Sequence, residues 1–131
     1  MQIEAVDHIG IRVSDESRAV EFYARFGFRV VYREPAAAVL ILVNDAGVEL
    51  NLIVNATPGF DGKNRLMDIS EKYPGYTHVA LRVRSIEDTA AQLRAQGIPI
   101  TEGPKQLGPG LSLFVRDPDA NVIELRQSLR G

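Results

Sequence analysis

Residues 7–13 read DHIGIRV, and residues 77–83 read THVALRV. Each stretch carries His, an apolar residue, a small residue, an apolar residue, Arg and Val in that order, and His8 and His78 are the only histidines in the chain. Side chains alternate along a strand. Ile9, Ile11 and Val13 therefore share one face, and His8, Gly10 and Arg12 the other. Val79, Leu81 and Val83 divide in the same way from His78, Ala80 and Arg82. The apolar face is expected to pack beneath a helix. The polar face, with a small residue between His and Arg, is expected to look away from it and leave room for a ligand.

The two copies extend outward from these strands. After the first comes SDESRAVEFYARFGF, in which Ser14 or Asp15 can cap a helix by accepting from free backbone N–H groups, and Ala19, Phe22, Tyr23 and Phe26 form one apolar stripe at helical spacing. Gly27 is the stop, since glycine enters the left-handed conformation without penalty. After the second comes SIEDTAAQLRAQGIPI, with Ser85 and Asp88 at capping-box spacing, an Ile86, Ala90, Leu93 stripe, and Gly97 and Pro99 closing the helix. Three strand-like runs follow each helix: 28–33, 38–44 and 48–54 in the first half, and 98–101, 111–116 and 121–127 in the second. DAG at 45–47, GPGL at 108–111 and DPDAN at 117–121 read as turns. The chain is thus an α+β protein of two βαβββ modules, 5–54 and 76–128, in a single domain, 1–131. Their curved mixed sheets are expected to surround a cavity. The polar, turn-rich segment 55–75 is the linker, with a short helix expected near 65–71; joining segments of that length commonly carry function.

Bulk composition narrows the function classes. The apolar fraction of 45%, with 24% charged residues, is that of a soluble globular chain long enough for one real core. A net charge of −2 makes no electrostatic case for nucleic acid or an anionic membrane. The longest apolar run, AAAVLILV at 36–43, is of strand length and too short to span a bilayer. MQIEAVDH has no basic region followed by an apolar stretch, so a cytoplasmic location is expected. Without cysteine, any metal must use nitrogen and oxygen ligands. No glycine-rich run has the spacing and lysine of a phosphate-binding loop.

The last strand-like run of each half carries a glutamate. Glu49 and Glu124 each lie in phase opposite to the best-packed apolar residues, Leu50 and Leu52 in one half and Ile123 and Leu125 in the other. A carboxylate in a buried strand is expensive unless it is paired or bound to a cation. One such histidine alone is ordinarily structural, and one such glutamate alone ordinarily faces solvent. Repetition changes the reading. His8, Glu49, His78 and Glu124 would offer two nitrogens and two oxygens, a set suited to Zn, Ni, Co, Mn or Fe(II).

With VDHIGIRV, YTHVALRV, GVELNLI and DPDANVIEL on the page, the chain resembles the vicinal oxygen chelate superfamily over nearly its whole length. That group includes glyoxalase I, methylmalonyl-CoA epimerase, extradiol dioxygenases and bleomycin-resistance proteins. The resemblance places His8, Glu49, His78 and Glu124 where glyoxalase I carries its metal ligands. It places Arg12 where glyoxalase I has an arginine on the glutathione carboxylate. Ile53 stands where that enzyme has an asparagine, which argues against glutathione itself. Epimerases carry Gln at the position of Glu49. Extradiol dioxygenases use two His and one Glu, and their usual Tyr before the DP motif is missing from LFVRDPD. Bleomycin-resistance proteins bind drug by aromatic stacking, and this chain has no Trp. The resemblance implies a metal-dependent isomerase or lyase that abstracts a proton next to a carbonyl of a small oxygenated substrate. Glu124 or Glu49 would be the base, and the working unit a homodimer. A ring-cleaving dioxygenase and a small-molecule binding protein are the alternatives.

Overall fold

The strand patterns predicted around the two histidines form in a computed structural model, which describes residues 1–129. The chain divides into two compact units, one ending at Gly59 and the other starting at Phe60. No helix among the described residues is long and apolar enough to cross a membrane.

The first unit runs β1 (Ile9–Arg12), α1 (Glu16–Ala24), β2 (Arg29–Glu34), β3 (Val39–Val43) and β4 (Glu49–Ile53). Its sheet has the order β1-β4-β3-β2, with β1 parallel to β4 and the other pairs antiparallel. Asp15 is the helix cap, its side chain accepting from the Arg18 N–H. Ala19, Phe22 and Tyr23 of α1 are buried, as are Val13 and, on the sheet, Leu40, Leu42, Leu50 and Leu52. The predicted apolar face of β1 is the core face: Val13 is fully buried, whereas His8, Gly10 and Arg12 are exposed or nearly so.

The second unit repeats the plan with β5 (Val79–Arg82), α2 (Ile86–Ala95), β6 (Glu102–Leu107), β7 (Gly110–Arg116) and β8 (Val122–Ser128), in the order β5-β8-β7-β6. Ser85 caps α2 by accepting from the Asp88 N–H. Ile86, Ala90 and Leu93 pack over Leu113, Val115, Ile123 and Leu125. Two mixed four-stranded sheets, each with one helix, establish the α+β two-module fold.

Two predicted elements differ. The stretch 98–101 is not a strand. The Ile98 N–H bonds back to the Leu93 carbonyl and its side chain is buried, and pairing with β7 starts only at Thr101. The strand itself is EGPKQL, a polar, exposed edge whose register slips between Glu102 and Lys105. It lacks the apolar alternation by which strands are recognised. The expected helix near 65–71 is a set of turns. Asn64 accepts from the Leu66 and Met67 N–H groups, and its amide donates to the Ala120 carbonyl. Arg116 grips Asp68 with both terminal nitrogens at 2.7 and 2.8 Å, which holds the Asp68 carboxyl well below the usual carboxylate range. Linker residues 64–68 are thus tied to the second unit.

Candidate functional site

In the first unit the site residues lie at the start of β1 and β4. His8 precedes Ile9, whose register partner is Leu50, so His8 lies beside Glu49. His8 Nδ1 is 2.7 Å from Asp7 Oδ1 and 3.9 Å from Glu49 Oε2. The three side chains bring one ligand atom each within 4.8 Å of one another, a group that could hold a metal ion. Among the described residues Glu49 has no hydrogen bond, and 31% of its side chain is exposed. Asp7 escaped the sequence reading because it is not repeated: the second copy has Thr77 at its place.

The second unit builds its pair more tightly. His78 Nε2 lies 2.9 Å from Glu124 Oε1. That separation fits two ligand atoms of one ion, whose bonds to N and O run about 2.0–2.2 Å. Thr77 Oγ1 is 2.8 Å from His78 Nδ1, and the Phe114 ring meets the imidazole edge-on. A metal-ligating histidine is ordinarily oriented through its other ring nitrogen in this way. Glu124 is buried, and its Oε2 accepts a 2.6 Å bond from Ser112 Oγ. Arg126 Nη1 donates to the same Ser112 oxygen at 2.9 Å and stands 3.6 Å from Glu124 Oε2. Ser112 and Arg126 both support the carboxylate across β7 and β8. An isolated Ser in a strand gives no sequence signal of that role.

The register corrects the expected equivalence of the two glutamates. Val43 pairs with Glu49 across the turn 44–48, and Arg116 pairs with Val122 across the turn 117–121, five residues each. The turns share their chemistry as well. Asn44 Oδ1 accepts from the N–H groups two and four residues on, and Asp117 Oδ1 does the same. The parallel pairs agree: Gly10 with Asn51 in one unit, Ala80 with Glu124 in the other. Glu124 therefore corresponds to Asn51, and Glu49 corresponds to Val122. Asn51 Oδ1 is buried without a hydrogen-bond partner among the described residues. A buried, unpaired carbonyl costs about 1–3 kcal/mol. It offers an oxygen at the place that a carboxylate fills in the second unit. Nitrogen and oxygen donors of this kind fit a borderline or hard divalent ion.

Arg12 lies on the His8 face of β1, and its counterpart Arg82 on the His78 face of β5. Both are exposed.

Comparison with known proteins agrees with this architecture. Residues 5–125 match the model of the Glyoxalase/Bleomycin resistance protein/Dioxygenase superfamily. The chain is 30% identical over 130 residues to the glyoxalase domain-containing protein RDO1 of Mycosarcoma maydis, covering 95% of this chain and 69% of that one. It is 28% identical over 130 residues to a probable lactoylglutathione lyase of Synechocystis, covering 92% and 93%. The crystal structure of TnmS3, an antibiotic binding protein from Streptomyces sp. CB03234, superposes with a TM-score of 0.73 at 26% identity, covering 98% of both chains. Duplicated βαβββ modules, a histidine opening each, and a sequence match across both modules lead to one conclusion: the chain belongs to the glyoxalase/bleomycin resistance protein/dioxygenase superfamily.

Proposed function

We propose that the protein is a divalent-metal enzyme acting on a small oxygenated substrate, with isomerase or lyase chemistry by proton abstraction next to a carbonyl. The observation that carries this reading is the His78–Glu124 pair, oriented by Thr77, Ser112 and Arg126 in the manner of a ligand pair. His78 and Glu124 are the ligands that the second unit offers an ion, and His8 and the Asn51 oxygen are the donors on the equivalent strands of the first. Bound there, Zn, Ni, Co, Mn or Fe(II) would polarise the substrate's oxygens. Glu49 is the carboxylate that moves the proton. It lies beside His8, no hydrogen bond among the described residues anchors it, and it is partly exposed, so it can turn between positions as a general base must. Glu124 is fixed by Ser112 and stays a ligand. Arg12, on the His8 face of β1, is a further substrate contact. The working unit is a homodimer in the cytoplasm. The apolar side chains Met1, Ile3 and Val6 ahead of β1, all strongly exposed, support association.

A second reading has its own support. Asn51 stands where the second unit has Glu124, so the equivalent positions of the two modules supply two His and one Glu, the residue types that non-heme Fe(II) oxygenases use. Ring cleavage of a catechol is then the reaction.

Both readings are tested by metal analysis of wild type, His78→Ala, Glu124→Gln and Glu49→Gln after reconstitution. One ion per chain in wild type and Glu49→Gln, lost in His78→Ala and Glu124→Gln, is expected. Ni, Zn or Co directs the assay to hemithioacetal isomerisation, and Fe or Mn to oxygen uptake with catechols. Glu49→Gln should abolish proton transfer while keeping the ion. A wild type that binds no ion after reconstitution overturns both readings and leaves a small-molecule binder.

A further inference from the structure

The same face of the second sheet carries a second feature. Arg82 and Arg126 are register partners on neighbouring parallel strands, so two guanidinium groups leave the sheet side by side. Like charges directly opposite one another destabilise a strand pair. In the first unit the corresponding pair is Arg12 with Ile53, and no such juxtaposition arises.

Arg126 is locked in place. Nη2 donates to the Leu107 carbonyl at 2.7 Å and Nη1 to Ser112. Its guanidinium lies against the Gly110 backbone, where an added Cβ would come within 2.6 Å of Cζ. Arg82 is exposed and has no hydrogen bond or ion pair among the described residues. Between them is a cleft of about 250 Å³, lined by Ala80, Arg82, Pro109, Arg126 and Ser128. Glu124 lies near Arg126, but its carboxylate is already engaged by Ser112 and His78. Among the described residues the charge of Arg82 is left uncompensated beside a second, rigid cation.

From this we infer that the cleft is an anion subsite, taking a carboxylate or a phosphate group. Guanidinium groups bind both planar carboxylates and phosphates through paired N–H donors. Arg126 follows Glu124 by two residues on the same face, about 7 Å along the strand. A ligand with oxygens at the His78–Glu124 pair and a charged group some 7 Å away spans both. The substrate class is therefore a small oxygenated organic anion. That the anion is the substrate's own charged end rests on the enzyme reading above; that the cleft takes an anion does not.

The test uses full-length, metal-free protein, so that no ion at His78 or Glu124 can bind the probe. Inorganic phosphate and acetate are each titrated by calorimetry into wild type, Arg82→Gln and Arg82→Lys, and the Arg126 Nε–H resonance is followed by NMR. Saturable binding with a moving Arg126 signal, at least tenfold weaker in Arg82→Gln and partly restored in Arg82→Lys, is expected. Tighter phosphate than acetate binding assigns a phosphate ester, and the reverse a carboxylate. Equal affinity in wild type and Arg82→Gln, or no saturation by either probe, overturns the subsite. Metal analysis of the same preparations reports separately on the enzyme reading.

Discussion

Replacing Ser112 with Ala removes one hydroxyl that is fully buried and serves two partners. It donates at 2.6 Å to Glu124 Oε2 and accepts from Arg126. A hydrogen bond to a charged group is worth about 1.5–3 kcal/mol, and water replaces it poorly where the carboxylate is buried. If that energy is spent orienting Glu124 for an ion, its loss corresponds to roughly 10–100-fold in metal affinity, the range found for second-sphere partners of metal ligands. Two measurements separate the possibilities. Chelator competition gives the metal Kd, and urea denaturation of the metal-free protein gives stability. The expected result is a Kd raised at least tenfold, with the folded fraction unchanged under assay conditions. A Kd within twofold of wild type, accompanied by lower stability of the metal-free protein, would refute the assignment and make Ser112 a packing residue only.

Asn51→Leu removes an unpaired buried oxygen for an apolar side chain of similar size. It should raise metal-free stability by about 1 kcal/mol and weaken metal retention, since the desolvation cost of the lone carbonyl disappears with its function. A fall in stability would mean that the amide is already satisfied. Asp68→Asn should loosen the linker from β7 at a cost of about 1 kcal/mol, because the Arg116 pair is only partly shielded from water. Since the Asp68 carboxyl titrates below its usual 3.8 when folded, its contribution is present above that pH and lost as pH falls beneath it. The acid limb of the stability profile should therefore be shallower in Asp68→Asn, as read by urea midpoints between about pH 5 and pH 2. An unchanged acid limb removes the ion pair from the linker's attachment.

Much of the fold is legible in the chain because local chemistry agrees with tertiary packing. Asp15 and Ser85 cap their helices, Ala19, Phe22 and Tyr23 bury their stripe, and the turn 117–121 forms around Asp117 as its residues require. The edge strand 102–107 is not legible. It is held by backbone pairing with β7 rather than by a buried face, so its side chains carry no periodic signal.

The sequence by itself determined the duplication, the face on which each histidine stands, and the nitrogen–oxygen character of any metal site. Those follow from the period of two along a strand and from the absence of cysteine. Only the tertiary structure decided which residue of β4 answers Glu124. Glu49 and Asn51 lie two positions apart on one face, so alternation cannot tell them apart. The turns 44–48 and 117–121 set the register between strands, and that register makes Asn51 the counterpart. The supports of Glu124 came from the same source: Ser112 and Arg126 reach it only because β7 and β8 are aligned to place them beside it.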